Sequence, residues 1–203
     1  MKNLTAARQD YLRRMELAAN RMQTLINDLL TYSRTSITRR AFEKADLNEI
    51  LNEVKDDFKE MNAEKQVVIQ SENLCKVYII PFQISQLLHN LVVNSLKYAM
   101  PGRPLRILVQ SKIVLGAESG IDSLSAEKTY CHITISDNGI RFDPQFKDRI
   151  FEVFQRLHGK DEYSGTGIGL AIVKKIVDNH NGFIVPNGQL KKGATFIIYI
   201  PGA

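Results

Sequence analysis

The sequence predicts an α+β fold, with a two-layer α/β sandwich over residues 46–203 preceded by one long helix. Two observations support this prediction. From Asn3 to about Arg34 there is no Gly or Pro, and apolar residues recur at steps of three and four, as in an amphipathic helix. Further along the chain, helical patterns interleave with mostly antiparallel strand patterns. The 203 residues, 44% of them apolar and 24% charged, are enough for one domain and an appendage.

The leading helix carries an apolar stripe of the kind found in helix bundles. One helix cannot bury such a stripe alone, so we expect it to cover a partner helix, a second chain or the globular part of its own chain. Residues 1–44 also hold nine Lys and Arg against four acids, which accounts for the net charge of +5. This excess suits a solvated helix face or an acidic partner, and nothing in the rest of the chain indicates nucleic acid. The stripe consists of Tyr11, Met15, Ala18, Met22, Leu25, Leu29 and Tyr32.

The elements of the sandwich follow from local patterns. Residues 37–45 read as a linker between a helical unit at 1–36 and the sandwich. Asp46, with Glu49 three residues on, is a candidate cap for a second helix that runs to about Asn62. Later helices are expected in FQISQLLHNLVVNSLKYAM and in GIGLAIVKKIVDNHNG, the second closed by Asn181-Gly182. Strands are expected in KQVVIQSE, KVYII, LRILVQSKIVL, TYCHITISD, GFIVP and ATFIIYIP.

The composition indicates a cytoplasmic protein. No apolar run approaches the roughly 20 residues that span a bilayer, and the N-terminus lacks the layout of a signal peptide, so direct membrane contact is not expected. Cys75 and Cys131 lie far apart without metal-ligand spacing. We therefore expect both to be small buried apolar residues.

One helical face presents two amides and an ammonium group. Asn90, Asn94 and Lys97 are spaced by four and three residues within HNLVVNSLKYA. An Asn among apolar residues is costly unless its amide is used. Carbonyl oxygens suit a hard cation such as Mg²⁺, and a lysine suits the phosphates that share it. The alternative is that the two amides bond locally across the sheet.

Three glycines precede the last helix. Gly165, Gly167 and Gly169 lie in SGTGIGLAIVKKI, where unhindered N–H groups at a helix N-terminus form an anion site. No Gly-Lys-Ser/Thr follows, so this is not a P-loop, and Ser164 precedes it rather than a strand, which makes it a poor dinucleotide fingerprint. A flexible loop is the alternative.

An acid ends the strand TYCHITISD. In the turn DNGIRFD, Asp137 is placed to accept a hydrogen bond from an exocyclic amine, which would select adenine over guanine, although a turn-forming Asp is the alternative. The aromatic and charged segment after it has the composition of one that folds over a ligand. Candidates to pack it down are Phe151, Phe154 and Leu157, and candidates to reach phosphate are Arg156 first, then His158 and Lys160.

In order and spacing, NLVVNSLKYA, DNGIRFD, IFEVFQRLHGKDEYSGTGIGLAIVKKIV and GATF resemble the boxes of the catalytic ATP-binding domain of sensor histidine kinases. That domain belongs to the GHKL ATPases, with gyrase, Hsp90 and MutL, and the resemblance runs from about Ala45 to Pro201. It implies the Bergerat ATP-binding fold, a mixed sheet with helices on one face. The leading helix, ending in MQTLINDLLTYSR, resembles the second helix of the dimerisation and phosphotransfer hairpin that precedes this domain.

The resemblance implies a role for each matching residue. Asn94 would hold Mg²⁺, while Asn90 and Lys97 would position the phosphates of ATP as the catalytic residues. Asp137 would bond the adenine amine, and Gly139 would let the backbone approach the base. An ATP lid would span residues 142–164. The other nucleotide-binding positions would be Tyr98, Arg141, Phe154, Arg156, Leu157, Gly165, Thr166, Gly167, Ile168, Gly169, Leu170 and Thr195.

Two departures from the family pattern bear on function. The family usually has glycine at the position of Arg141, where a backbone with positive φ would cost a non-glycine residue about 1 kcal/mol or slightly more, so the turn is weakened at worst. The family's phosphoacceptor histidine lies on the first helix of the hairpin, which has no match here. We expect a structural or surface role for the four histidines, with a positive charge welcome on the one near a helix C-terminus; they are His89, His132, His158 and, at that terminus, His180.

The chain is therefore expected to be a piece of a longer sensor, which binds ATP and phosphorylates a histidine that the missing helix supplies. The phosphate would pass to an aspartate of a response-regulator receiver domain, and the full-length protein would be a homodimer. A pseudokinase scaffold, impaired by Arg141, is the first alternative. A GHKL enzyme that hydrolyses ATP is the second, but such enzymes usually use a glutamate where this chain has Gln86, which cannot usefully accept a proton.

Overall fold

A computed structural model describes residues 6–37, 41–59, 67–140, 142–147, 149–155, 165–188 and 193–202. Within these ranges the chain forms four α-helices and seven strands. In chain order they are α1 (Ala6–Ile37), β1 (Glu43–Asp46), α2 (Leu47–Asp57), β2 (Val68–Ser71), β3 (Lys76–Ile79), α3 (Pro81–Lys97), β4 (Arg106–Leu115), β5 (Thr129–Asp137), α4 (Gly169–Asn179), β6 (Phe183–Gly188) and β7 (Ala194–Pro201).

Five strands form one mixed sheet in the order β2-β4-β5-β7-β6. Strand β2 runs parallel to β4, and the other three pairs are antiparallel. The register pairs Asp137 with Ile107 and Ser136 with Thr195, so the end of β5 lies beside the start of β7. The mixed α/β sandwich is the predicted fold.

The core lies between this sheet and a layer of helices. Alternate residues of the central strands point inward, as the period of two requires, and Ile107, Ile135 and Ile198 are almost completely buried. Helices α3 and α4 pack against each other, and α2 packs against α3. Each fully buried aliphatic side chain stabilises the fold by about 1.5–3 kcal/mol relative to an exposed one. This layered packing holds the ends of α3, β5 and β7 in fixed positions.

Local signals explain where the helices begin and end. Asp46 caps α2, because its Oδ1 accepts the N–H of Asn48 at 2.8 Å. Helix α4 ends in the predicted Asn181-Gly182 pair, where Asn181 is left-handed (φ 52°) and the Gly182 N–H donates to the Val177 carbonyl at 2.9 Å.

The leading helix α1 is mostly exposed. Leu25 and Tyr32 pack on the core and α1 contacts α4, whereas Tyr11, Met15 and Met22 stay about 60–70% exposed. Packing against the chain's own globular part therefore covers only the C-terminal half of the stripe. In the part of the chain that the structure describes, no helix combines the length and the apolar character that a membrane span needs.

Two expectations about local structure need correction. The end of the predicted linker forms β1, which pairs antiparallel with β3 although three of its four residues are charged. Helix α2 ends at Asp57 rather than near Asn62, which lies outside the described residues. Both differences arise because tertiary partners, not local periodicity, decide where such short elements begin and end.

His180 has the structural role expected of it, but without the positive charge that a helix C-terminus would favour. Its side chain is buried, its Nε2 accepts the Ile80 N–H at 3.0 Å, and its Nδ1 is therefore the atom that donates to the Ile176 carbonyl at 2.7 Å. One accepting and one donating nitrogen define a neutral ring. Burial lowers the pKa of His180 below its ordinary value, although the bond to Ile176 opposes the shift. Desolvation thus outweighs the attraction of the helix terminus.

The other expectations for Cys and His residues are largely met. Cys131 is buried and Cys75 packs against the core, as small apolar residues do. Burial raises the pKa of the Cys131 thiol far above its ordinary value, so the group stays a neutral thiol. His89 is exposed beside Phe58, with ring centroids 5.0 Å apart, while His158 lies outside the described residues.

Candidate functional site

A buried carboxylate marks one end of the candidate site. Asp137, at the end of β5, is 8% exposed. Its Oδ1 accepts the N–H groups of Gly139 at 2.8 Å and Ala194 at 3.3 Å, and its Oδ2 accepts the Ser95 hydroxyl at 2.9 Å. Burial raises the pKa of Asp137, and these three hydrogen bonds oppose that shift. A carboxylate has about four acceptor positions, so one remains for a donor outside the protein.

The turn after Asp137 is built around close backbone contacts. A Cβ on Gly139 would lie 2.5 Å from the Tyr98 carbonyl oxygen, which explains why glycine is needed there. The same carbonyl accepts the Ile140 N–H at 2.7 Å, so the turn is joined to the end of α3. The glycine therefore lets the turn approach Tyr98, and its predicted contact with a base stays a prediction.

Asn138 holds this turn against the start of β4. Its side chain accepts the Arg106 N–H at 2.8 Å and donates to the Pro104 carbonyl at 3.0 Å. The carbonyl oxygen of Asn138 accepts from the Arg103 guanidinium. Three bonds from one turn residue keep the position of Asp137 defined, which a recognition group requires.

The predicted polar face of α3 lies beside the glycine loop. Asn90 donates through Nδ2 to the Gln86 carbonyl at 2.8 Å, and its Oδ1 would be 3.1 Å from a Cβ on Gly169. Lys97 Nζ would be 2.7 Å from a Cβ on Gly165 and lies 4.8 Å from the centre of the Tyr98 ring. The fold thus brings together residues that are about 70 positions apart in the sequence.

Asn94 lies on this face one turn from Asn90. It is half-buried, and no hydrogen bond from another described residue reaches its side-chain amide. A partly buried amide oxygen without a partner among the described residues suits a hard cation, because Mg²⁺ takes oxygen ligands. Local bonding, the alternative for these amides, applies to Asn90 through Gln86 and not to Asn94 among the described residues.

The glycine loop has the backbone that only glycine adopts easily. Gly165 has φ 141° and Gly167 has φ 78°, and a Cβ on Gly167 would meet the Gln155 carbonyl oxygen at 2.8 Å. Gly169 is the first residue of α4, so the N-terminus of that helix, with the unpaired N–H groups of its first turn, lies beside Asn90. The glycine loop and the amide face of α3 are therefore neighbours.

The neighbours of these glycines differ in what they can contribute. The side chain of Ile168 is completely buried, so only its backbone can face a ligand. Leu170 is half-buried and packs on the core, whereas Thr166 is half-buried and bonds the leading helix. Thr195 is half-buried opposite Ser136, next to the N–H that reaches Asp137.

The predicted lid is described only in part. Phe151 packs against the core, as expected of a residue that holds the lid down, and Phe142 is buried in the core as well. Phe154 does not pack, because it is 60% exposed at φ 65°, with its N–H bonded to the Gly167 carbonyl at 3.0 Å. The predictions for Arg141, Arg156 and Leu157 lie outside the described residues.

The sequence analysis missed two contributors to the Asp137 cluster. Ser95 is 3% exposed and donates to Asp137, and its signal is a small polar residue on the apolar face of α3. Gly193 has φ 82°, and its missing Cβ leaves room for the Asp137 carbonyl oxygen, 1.9 Å from where that Cβ would be. The GATF motif contained this glycine but not the reason for it.

These features define a nucleotide-binding α/β domain, and comparison with known proteins identifies its class. Residues 80–203 match the family described as histidine kinase-, DNA gyrase B-, and HSP90-like ATPase. The chain belongs to this family.

Individual relatives agree with this assignment. The chain is 40% identical over 180 residues to cyanobacterial phytochrome A of Nostoc sp. (strain PCC 7120), covering 89% of the chain and 22% of that protein. It is 30% identical over 185 residues to the autoinducer 2 sensor kinase/phosphatase LuxQ of Vibrio vulnificus, covering 87% of the chain and 20% of that protein. The chain thus spans about a fifth of the length of these relatives.

A solved structure has the same fold. The crystal structure of full-length ShkA in complex with AMPPNP superposes with a TM-score of 0.71 at 23% identity, over 100% of this chain and 40% of that one. The leading helix is included in this match, since the whole chain is covered.

Proposed function

We propose that the chain is the ATP-binding catalytic core of a sensor histidine kinase, with residues 46–203 as the catalytic domain and residues 1–36 as part of the dimerisation and phosphotransfer unit. One observation carries the proposal. The buried carboxylate of Asp137, held by Ser95 and two backbone N–H groups, lies at one end of a site whose other end is the glycine loop beside Asn90 and Lys97. An acceptor for an exocyclic amine and an anion cradle are the two requirements of adenine-nucleotide binding.

Gln86 supports transfer of the phosphoryl group rather than hydrolysis of ATP. A hydrolase of this family needs a general base on α3, and the Gln86 amide cannot accept a proton usefully. Its Oε1 instead lies 3.4 Å from the hydroxyl oxygen of Thr35 on the leading helix. Of the relatives, LuxQ is named a sensor kinase and phosphatase, and ShkA holds AMPPNP.

Each residue of the site has a defined task in this proposal. Asp137 accepts the adenine amine, and the N–H groups at the start of α4 bind phosphate oxygens. Lys97 and the Asn90 amide position the γ-phosphoryl group for in-line attack. Asn94 is the protein ligand for Mg²⁺. Bound Mg²⁺ neutralises charge on the transferring group.

The partners of the whole protein follow from the same reading. The acceptor histidine lies on a helix that precedes α1 in the full-length kinase, and the phosphate passes to a response-regulator receiver domain. The exposed half of the α1 stripe, which includes Tyr11, Met15 and Met22, supports a homodimer because it offers an unpaired bundle seam.

Calorimetric titration tests nucleotide binding. We expect ADP and AMPPNP to bind and GDP to bind roughly 10- to 100-fold more weakly, because the buried Asp137 would be left without a donor. Asp137→Asn should weaken ADP by a similar factor, whereas Asp122→Asn, an exposed acid in the β4–β5 loop, should not. If the parent chain binds no adenine nucleotide, the proposal is wrong.

Phosphotransfer is tested separately. A polypeptide that contains the missing histidine helix is added to the chain with radiolabelled Mg-ATP, and label is expected on histidine. The control is Asn94→Ala, which should bind nucleotide without Mg²⁺ but transfer little label. Bound Mg-ATP without labelled histidine in the parent reaction would refute the kinase assignment and leave the binding site intact.

A further inference from the structure

Besides the packing of Leu25 and Tyr32 on the core, two polar contacts of different character join the leading helix to the globular part of the chain. At its C-terminal end, Thr35 is 5% exposed, and its carbonyl oxygen accepts Nδ2 of Asn179 at 2.8 Å and Nε2 of Gln83 at 3.3 Å. The Thr35 hydroxyl lies 3.4 Å from Gln86 Oε1. These partners are neutral, and Gln83 is itself buried at 2% exposure. We call this set of hydrogen bonds around Thr35 the pivot. Because it contains no charged group, its bonds do not depend on the charge in the site.

The second contact lies seven residues earlier on the same helix, about 10 Å along its axis. Here Oδ2 of Asp28 accepts the hydroxyl of Thr166 at 2.5 Å. Thr166 is the residue between Gly165 and Gly167, so a carboxylate of the leading helix holds the loop that lies beside Lys97 and leads to Gly169 beside Asn90. The contact joins positions 138 residues apart.

This contact places a negative charge where the proposed function places phosphate. The glycine loop is half-buried to exposed, so the repulsion between Asp28 and a polyphosphate is only partly screened by water. Gly165 and Gly167, on either side of Thr166, have positive φ angles that glycine adopts without a steric penalty. A single hydrogen bond, to the half-buried carboxylate of Asp28, joins the helix to this loop, while the pivot at Thr35 has several.

We propose that the Asp28–Thr166 hydrogen bond is a latch that couples the position of the leading helix to occupancy of the phosphate loop. This inference rests on the proposed nucleotide binding. With the latch closed, Asp28 opposes the phosphates of ATP. With nucleotide bound, the latch opens and the part of α1 before Asp28 moves away about Thr35, which also lifts Leu25 from the core. Because the coupling is a difference in free energy between two states, each event disfavours the other by the same factor.

The first test measures affinity. AMPPNP is titrated into the parent chain, Asp28→Ala and Asp28→Asn, with Glu16→Gln as the control. Glu16 is exposed on the same helix, 12 residues before Asp28 and so about 18 Å away, and its substitution removes the same charge. We expect both Asp28 variants to bind roughly 5- to 30-fold more tightly than the parent chain, the lower part of the range typical of coupling between sites. The control should bind like the parent.

The second test measures the distance of the leading helix from the sheet. Spin labels at Gln9→Cys on α1 and Lys112→Cys on β4, both exposed positions, report the distance between helix and sheet in a Cys75→Ser background. Adding Mg-AMPPNP should shift the distance distribution of the parent chain. Asp28→Ala should show the shifted distribution without nucleotide, and Glu16→Gln should not.

The outcomes separate the two proposals. Equal affinities in all four chains, with a distance distribution that nucleotide leaves unchanged, overturn the latch and leave nucleotide binding standing. No binding by the parent chain or any variant overturns the proposed function and the latch together. Weaker binding in Asp28→Ala overturns the latch as well, because it would mean that Asp28 supports the loop rather than opposing phosphate.

Discussion

Gly193 offers the sharpest test of how the backbone holds the recognition carboxylate. It has φ 82°, and a Cβ placed on it would lie 1.9 Å from the Asp137 carbonyl oxygen and 2.9 Å from the Asn138 Cα. Both neighbours are backbone atoms, so no side chain can rotate away. Gly120 is the matched control, because it has φ 68° with nothing within 4 Å of a Cβ. Alanine at either position suffers the same backbone strain, and only alanine at 193 suffers the clash.

The difference in the free energy of unfolding between Gly193→Ala and Gly120→Ala isolates the effect of the close contact at residue 193. A left-handed backbone costs alanine about 1–2 kcal/mol, and alanine recovers about 0.4–1 kcal/mol by restricting the unfolded chain. Gly120→Ala should therefore lower the free energy of unfolding by no more than roughly 1.6 kcal/mol. Gly193→Ala must also displace the Asp137 backbone, and overpacking of this kind costs a further 1–3 kcal/mol or so. The change also moves the Ala194 N–H away from Asp137 Oδ1.

Urea unfolding and adenine-nucleotide titration of the two variants check this reasoning. In a chain of this size, each kcal/mol lowers the melting temperature by about 2–4 °C, so Gly193→Ala should melt several degrees below Gly120→Ala. Its affinity for ADP should also fall, while that of Gly120→Ala should equal the parent's. If both variants lose the same stability and bind ADP equally well, the close approach of Gly193 to Asp137 does not exist in solution.

Three further predictions follow from the site. Asn94→Ala should abolish the effect of Mg²⁺ on AMPPNP affinity, whereas the exposed Asn52→Ala should retain it; calorimetry with and without Mg²⁺ decides, and a retained effect in Asn94→Ala removes this residue from the metal site. Burial raises the pKa of Asp137, so ionisation of this carboxyl group opposes folding as pH rises through that pKa. The free energy of unfolding of Asp137→Asn at pH 7 should therefore be no lower than that of the parent chain. A clearly lower free energy of unfolding would mean that the carboxylate stabilises the fold. Burial lowers the pKa of His180, so the stability it contributes is present above about pH 6.5 and is lost as pH falls, at up to about 1.4 kcal/mol per pH unit. Burial also lowers the pKa of His132, so this residue adds to the loss of stability at acidic pH. His180→Gln should therefore make the free energy of unfolding depend less steeply on pH without removing the dependence. An unchanged slope would contradict the neutral buried ring of His180.

Much of the fold was predictable because its elements have strong local signals. The unbroken pattern from Asn3 predicted α1, which is helical over the whole described range Ala6–Ile37, and the period-two runs predicted β4, β5 and β7. Strand β1 was not predictable, since Glu43–Asp46 has almost no apolar content and becomes a strand by pairing with β3. Its stability comes from backbone hydrogen bonds to a segment more than 30 residues away.

The candidate site likewise has features that the sequence predicted and features that only the tertiary structure shows. The sequence by itself determined which residues we propose for the site: Asn90, Asn94 and Lys97 share a helical face because of their spacing, and the glycines before α4 permit a backbone that other residues resist. It also determined the family, since the motifs occur in the right order.

Only the tertiary structure decided how these residues meet and which charges they hold. The contact of Gly165 with Lys97, the bond of Ser95 to Asp137 and that of Thr166 to Asp28 join segments 42–138 residues apart. No local pattern encodes such distances, because they depend on how all the layers pack together. The raised pKa of Asp137 and the lowered pKa of His180 have the same origin, since desolvation acts on a side chain only after the rest of the chain has buried it.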